Sequence, residues 1–393
     1  MSTAILENSP LHKDSKYASA TLLSTASNFI TNADQPFTRT YRTYIRLREY
    51  GSLQFRLWHS NAVDSTWDLG KDARAGEPGG SWRIEAAYLA DGGLQPDGSI
   101  AIGSEAAVTF KRSVSKDVAP GEKFWSDEVS LFIPDNHYLC LSWTISTKAP
   151  GKSIPFNVEQ MLATAYDAPG RLAHQASSCS FERSNNQLVL PSFIGYKKNT
   201  AKQLVFFGDS ITQGVRTSVD AYEYWAARIG DELGTDYGIW NLGSGWARAY
   251  DAAGDGPWLF KAKQADEIVI ALGVNDLDIG QRKAPELIQD LTSVIAAIKN
   301  VNPSAIITLC TVPPFNFTDD KEQARKTVNQ TIRMAGIPGA DRVFDLAAVL
   351  SVSKPNEHRV RPNFMSSQDD PHPNGLAGQA VSRAFLDWYV QYK

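Results

Sequence analysis

Leu204-Val205-Phe206-Phe207-Gly208-Asp209-Ser210-Ile211-Thr212-Gln213-Gly214 is the stretch on which the reading of the fold turns. Four consecutive apolar residues run into a glycine, an acid and a serine. A short apolar run bounded by turn residues reads as a strand buried on both faces. The Gly-Asp-Ser that follows reads as a tight turn lifting one hydroxyl off the strand end. Downstream the pattern repeats, with strand-like runs at 204–207, 238–242, 267–272, 305–311 and 342–346 and helix patterns at 219–233, 285–299, 320–335 and 375–391. In the helix at 285–299, Pro285 suits the first turn. Leu287, Leu291, Val294 and Ile298 fall at helical spacing, and Ile288 and Ile295 widen the stripe. Apolar strands alternating with amphipathic helices predict an α/β domain built on a parallel sheet, here five-stranded and covered on both faces. Ligands bind beyond the carboxyl ends of such strands. Gly208-Asp209-Ser210, Gly243-Ser244-Gly245, Gly273-Val274-Asn275-Asp276 and Thr311-Val312-Pro313-Pro314 all sit there, so four loops converge on one edge.

Upstream of residue 200 the period changes. Leu53, Phe55 and Leu57 alternate with Gln54 and Arg56, and Leu139, Leu141, Trp143 and Ile145 form the clearest run of period two. Turn clusters such as 77–80, 91–93, 96–98, 119–121 and 134–136 separate these runs, which predicts a β-sandwich or jelly roll over 36–165. Residues 1–35 read as an arm, 166–200 as a connecting segment, and 201–393 as the α/β domain.

With 393 residues the chain has ample length for two domains and their cores. Its net charge is −4, with Lys and Arg scattered, which argues against a nucleic-acid partner. Cys140, Cys179 and Cys310 form neither a disulfide framework nor a zinc spacing. No stretch approaches the roughly 18 apolar residues of a membrane span, and the Ser/Thr-rich start has no secretory apolar run. A cytoplasmic protein without metal or cofactor is expected; a homo-oligomer is compatible with the sequence but not legible in it. Ala149-Pro150-Gly151-Lys152-Ser153 is not a phosphate loop, because position 146 is serine. There is no G-x-S-x-G elbow, since Thr212 stands where the second glycine would be.

A serine hydroxyl becomes a nucleophile when a base removes its proton, usually a histidine oriented by a carboxylate. Of the six histidines, only His372 lies in a loop just before the last helix pattern, in Asp369-Asp370-Pro371-His372-Pro373. Asp369, three residues before it, is the favoured orienter, with Asp370 as the alternative. Gly243 and Asn275 are candidate donors to a developing oxyanion. Asp209 and Asp276 read as structural. Trp246 and Arg248 read either as loop packing or as pocket wall.

Together these residues resemble the blocks of the SGNH (GDSL-type) hydrolase family: Gly208-Asp209-Ser210-Ile211-Thr212, Gly243 within Asn241-Leu242-Gly243, Gly273-Val274-Asn275-Asp276, and Asp369-x-x-His372. The resemblance implies a three-layer α/β/α domain with Ser210 as nucleophile, His372 as base and Asp369 as orienter. It also implies an oxyanion hole made of the Ser210 and Gly243 amides and the Asn275 side chain. Residues 53–57, 123–127 and 163–166 resemble the β-sandwich of a two-domain, XynE-like branch, although Trp246-Ala247-Arg248 departs from the Gly-Asn-Arg run usual there. The implied activity is that of a serine esterase on short, most simply acetyl, esters of sugars or small alcohols. The expected partner is thus a small-molecule or oligosaccharide ester, with neither nucleic acid nor membrane. The alternatives are a general carboxylesterase or lipase-like enzyme, or a carbohydrate-binding protein whose hydrolase domain is inactive.

Overall fold

The computed structural model describes residues 9–12, 15–65, 69–158, 162–334 and 336–392. The chain divides into two compact units. One comprises Met1–Pro10, Asp14–Val63 and Glu77–Asn199; the other comprises Leu11–Lys13, Asp64–Gly76 and Thr200–Lys393.

The second unit carries a five-stranded parallel sheet. Its spatial order is Tyr237–Asn241, Lys202–Gly208, Glu267–Ala271, Ile306–Cys310, Arg342–Phe344. The strands are apolar on both faces, and Leu204, Phe206, Phe207, Ile268, Ile270, Ile307 and Leu309 are all buried. The first strand of this unit stands second in the sheet. The chain therefore reverses its direction of growth between Lys202–Gly208 and Glu267–Ala271. A crevice opens at such a switch point, beyond the strand ends. Gly208 and Ala271 lie opposite one another in the register, which brings the loops after them together.

The helices show how the sequence builds this scaffold. Helix Ala284–Lys299 has Pro285 in its first turn, and the Glu286 carboxylate accepts the Lys283 N–H at 2.7 Å. Leu287, Leu291, Val294, Ile295 and Ile298 are buried, each worth about 1.5–3 kcal/mol of transfer. Helices Asp319–Met334 and Gly375–Tyr389 also lie where the periodicity puts them; residue 335 falls outside the described residues. The helix expected from 219 begins only at Trp225. Asp220 and Tyr222 hold left-handed backbone, at φ of 59° and 51°, and no helix runs through two such residues.

The first unit is built of antiparallel sheets. One has the order Tyr17–Ser19, Phe193–Lys197, Gly51–Ser60, Lys123–Trp125, with Val129–Ile133 also paired to Gly51–Ser60. A larger one centres on Thr38–Ile45, Leu139–Ser146 and Trp82–Asp91. His59 from the first meets Trp82 and Trp143 of the second edge to face, at ring-centroid distances of 5.4 and 5.9 Å. Strand Leu139–Ser146 is buried on both faces rather than one. Arg42 explains how the polar face closes: its guanidinium donates to Ser142 Oγ and to the carbonyls of Gly98 and Gln175.

Three boundaries differ from the sequence reading. The stretch 1–35 is not a bare arm, since Tyr17–Ser19 and Phe29–Ala33 are sheet strands. Ser19, Thr21, Ser24 and Thr25 are buried, with the Ser19 hydroxyl on the Thr21 carbonyl and the Thr25 hydroxyl on the Ser192 carbonyl, so a polar composition conceals the burial. The stretch 166–200 is not only a connection, since Ala165–Pro169 pairs with Thr38–Ile45 and Phe193–Lys197 is an inner strand. Gly195 breaks the period-two signal there; a Cβ on it would meet the Phe193 ring at 2.6 Å. Finally, Asp64–Gly76 leaves the β-rich region and belongs to the unit that carries the parallel sheet. Arg248, itself buried, donates to the carbonyls of Gly70, Lys71 and Ala73, and Lys261 pairs with Asp64. Arg248 thus serves loop packing.

Among the described residues, no helix is long and apolar enough to cross a membrane.

Candidate active site

Strand Lys202–Gly208 delivers Ser210. A Cβ on Gly208 would sit 2.2 Å from Thr212 Oγ1 and 2.7 Å from the Ala271 carbonyl, so only glycine lets the strand turn this close to its neighbour. Asp209 is extended, and its Oδ1 accepts the Ile211 N–H at 2.9 Å, capping a single helical turn, Ser210–Gln213. Gly214, at φ 103°, ends that turn in left-handed backbone. Ser210 is thereby fixed at the first position of the turn, half-buried. Among the described residues, none accepts its backbone N–H.

Ser210 Oγ lies 3.0 Å from His372 Nε2. On the other side of the ring, His372 Nδ1 lies 2.6 Å from Asp370 Oδ1. With the proton on Nδ1, the Nε2 lone pair faces the hydroxyl. The loop carrying His372 is held on several sides. Ser366 N–H donates to the His372 carbonyl, and Asn374 donates to the carbonyls of Asn363 and Met365 while capping helix Gly375–Tyr389. The Phe315 ring meets the imidazole edge to face at 5.1 Å.

The carboxylate at the ring is Asp370, not Asp369, which is exposed. Pro371 disfavours helical backbone at Asp370. The Asp370 side chain folds forward over the proline, and its Oδ1 also accepts the His372 backbone N–H at 3.1 Å. Burial would raise the Asp370 carboxyl. The ring and backbone N–H groups of His372 and the Arg216 guanidinium outweigh it, and the group sits below its ordinary value. Burial pulls His372 below the usual imidazole value, against the opposing pull of Asp370, and the Arg216 charge adds to the lowering.

Gly243 does not present a free donor. Its N–H is held by Asn241 Oδ1 at 2.9 Å, while Asn241 Nδ2 donates to the Thr212 carbonyl at 3.1 Å. A Cβ on Gly243 would lie 2.2 Å from the Gln213 nitrogen. The residue is glycine because the second loop presses on the Ser210 turn. Asn275, half-buried, gives one N–H of its amide to the Ala247 carbonyl at 3.1 Å and keeps the other.

Asp209 and Asp276 are structural, as their sequence context suggests. Asp276 accepts the N–H groups of Ala249 and Tyr250. Burial pushes both carboxyls up to about 7, against these hydrogen bonds, and the charge of Asp276 adds to the rise at Asp209. Among the described residues no cluster of side chains could hold a metal ion. A cavity of about 500 Å³, lined by residues including Arg325, Arg333, Lys354 and Arg361, contains neither Ser210 nor His372 in its wall.

Residues 206–380 match the profile of the GDSL-like Lipase/Acylhydrolase family. No curated protein matches the chain. Among solved structures, a family two carbohydrate esterase from Cellvibrio japonicus overlays 95% of this chain and 96% of its own, at 13% identity and a TM-score of 0.37. A carbohydrate esterase family 3 protein from Talaromyces cellulolyticus overlays 49% of this chain and 98% of its own, at 17% identity and the same TM-score. A psychrotrophic esterase from Pseudoalteromonas sp. does so over 49% and 98%, at 15% identity and again 0.37. Overlaps this loose carry no argument about the site. The family match covers the stretch that holds the Ser210 turn, the Asn275 loop and His372: residues 206–380 form a GDSL-like lipase/acylhydrolase domain, and the chain is a carboxylic ester hydrolase.

Proposed function

We propose that the chain is a serine esterase that removes short acyl groups, acetyl in the simplest case, from sugars or small alcohols through an acyl-enzyme on Ser210. The observation that carries the mechanism is the chain of contacts from Ser210 Oγ to His372 Nε2 and from His372 Nδ1 to Asp370. As Ser210 Oγ attacks the ester carbonyl, His372 takes its proton, and the carbonyl oxygen becomes an oxyanion. The Ser210 N–H and the second N–H of Asn275 stabilise that charge. The tetrahedral adduct collapses, the C–O bond to the alcohol breaks, and His372 returns the proton to the departing alkoxide. Water, deprotonated by His372, then releases the acid and restores Ser210.

The preference for a short acyl group rests on the family resemblance and on the absence, in the sequence, of a long apolar segment suited to a lid. We place the enzyme in the cytoplasm, acting on soluble esters without a nucleic-acid or membrane partner. We also infer three α/β/α layers for the hydrolase unit. Helix Gly375–Tyr389 packs on Trp225–Leu233, and Ala284–Lys299 packs on Asp319–Met334, as two pairs covering two faces would. For the first unit we infer a jelly-roll-like sandwich.

Hydrolysis of acetylated xylo-oligosaccharides and of p-nitrophenyl esters of graded length tests the substrate reading. Activity should peak at the shortest acyl chains and vanish in Ser210→Ala. A preference still rising beyond about eight carbons, at about 0.8 kcal/mol for each buried CH₂, would assign a lipase-like pocket instead.

A further inference from the structure

We propose that Arg216 is a positioning residue of this esterase site: its guanidinium holds the outer oxygen of Asp370 so that the inner oxygen faces His372, and its charge favours the neutral imidazole that accepts the Ser210 proton. The inference rests on the reading of Ser210 and His372 as nucleophile and base.

The two oxygens of Asp370 are divided between two partners. Oδ1 takes the ring Nδ1 and the backbone N–H of His372, at 2.6 and 3.1 Å. Oδ2 takes Arg216 Nε at 2.9 Å. A carboxylate gripped at both oxygens cannot rotate about its last bond without losing a charge-assisted hydrogen bond. Arg216 also belongs to the segment that carries the nucleophile. It lies two residues past Gly214, and the intervening Val215 N–H donates to the Ser210 carbonyl at 3.1 Å. One tight turn thus presents the attacking hydroxyl and, six residues on, the clamp on the acid of a loop more than 150 residues away. Arg216 itself holds left-handed backbone at φ 69°, a conformation unfavourable for a branched or long side chain and retained where surroundings fix it.

The charges facing His372 are few. Asp370 comes from its own loop and Arg216 from the Ser210 turn, while Ser210 and the Phe315 ring supply neutral faces. Asp370 draws a proton onto the imidazole and Arg216 repels it. The Arg216 side chain is 48% exposed. A pair at that exposure adds little to stability, so variants at 216 should fold. Its charge is also open to screening by salt, whereas the half-buried Asp370 contact is less so.

The test measures kcat/KM for p-nitrophenyl acetate against pH, at low and high ionic strength, on the full chain and on Arg216→Met, Arg216→Lys and Ser210→Ala. Arg216→Met should lose roughly two- to fivefold at neutral pH and move its acid limb to higher pH. Arg216→Lys, which keeps the charge, should hold the limb near that of the parent. High salt should move the parent's limb upward, and this rise should be absent in Arg216→Met. A limb in Arg216→Met that stays where the parent has it, or a salt-independent limb in the parent, overturns the role of Arg216. The parent's salt response decides the question even if a variant fails to fold. Full activity in Ser210→Ala would instead overturn the underlying esterase mechanism, so the two failures are distinguishable.

Discussion

Asp370 Oδ1 stands 2.6 Å from His372 Nδ1, across a single proline, and the neighbouring Asp369 points to solvent. Two adjacent carboxylates therefore have separate fates. Asp370→Asn, which favours the wrong imidazole tautomer, should lower kcat by about 10³–10⁴. Asp369→Asn should stay within about twofold, as expected for an exposed side chain away from the reacting atoms. Steady-state kinetics on the two variants, with circular dichroism to confirm folding, measures the difference.

The contrast shows what the sequence could reveal. Strand Lys202–Gly208, helix Ala284–Lys299 and the Ser210, Asn275 and His372 loops were legible because periodicity locates the elements and parallel sheets collect function at their carboxyl ends. The choice between Asp369 and Asp370 was not, because spacing alone does not show how Pro371 directs the residue before it. Gly243 misled for a related reason. A glycine required by close packing and a glycine offering its N–H look alike in sequence, and only the Asn241 contact separates them. Strand Tyr17–Ser19 was too short to show a period, and its partner Phe193–Lys197 was masked by Gly195.

His372 must be neutral to accept the serine proton, so kcat/KM should rise as pH increases through its folded-state pKa. Burial, partly countered by Asp370, places that pKa below the ordinary imidazole value of 6.5. The acid limb should accordingly have its midpoint below 6.5. Extending the profile from pH 4 to pH 9 checks this, and a midpoint above the ordinary value would contradict it.

Asn275 gives one amide N–H to the Ala247 carbonyl and keeps the other, the one proposed to meet the oxyanion. Asn275→Ala should cost about 10²–10³ in kcat with little change in KM, because the donor acts on charge that exists only in the transition state. Gly243→Ala should behave differently. Its new methyl meets the Gln213 backbone, so a fall in stability of about 1–3 kcal/mol should accompany any loss of rate. Thermal melts alongside kinetics separate the two.

Asp209 links the site to stability. Its buried carboxyl has a folded value of about 7 against an ordinary 3.8. The folded state then binds the proton more tightly, so the stabilising contribution is full below the unfolded value and is lost as pH rises toward 7. Asp209→Asn keeps an oxygen for the Ile211 N–H and removes the ionisation. Its melting temperature should fall less than that of the parent between pH 4 and pH 8. Identical slopes for the two proteins would show that Asp209 does not titrate in this range.

Lys261 and Asp64 form one of the contacts that tie Asp64–Gly76 to the hydrolase unit. Both side chains are fully buried, and Nζ lies 2.8 Å from each carboxylate oxygen. Removing Lys261 breaks this buried ion pair and takes the opposite charge away from Asp64. Lys261→Met should therefore cost about 3–5 kcal/mol, read as a lower urea midpoint at unchanged slope. Adding Asp64→Leu removes the remaining buried carboxylate, and the double variant should regain part of the loss, since an apolar pair of similar volume replaces a buried ion pair at little cost. Lys71 and Arg74 within the segment supply a second readout. Arg248, on the carbonyls of Gly70, Lys71 and Ala73, and the contacts of Ser65, Asp72 and Ala75 would then hold the segment, so trypsin should cut after Lys71 or Arg74 sooner in Lys261→Met than in the parent. Equal cleavage rates in both would show that the remaining contacts, Arg248 among them, anchor the segment without the ion pair.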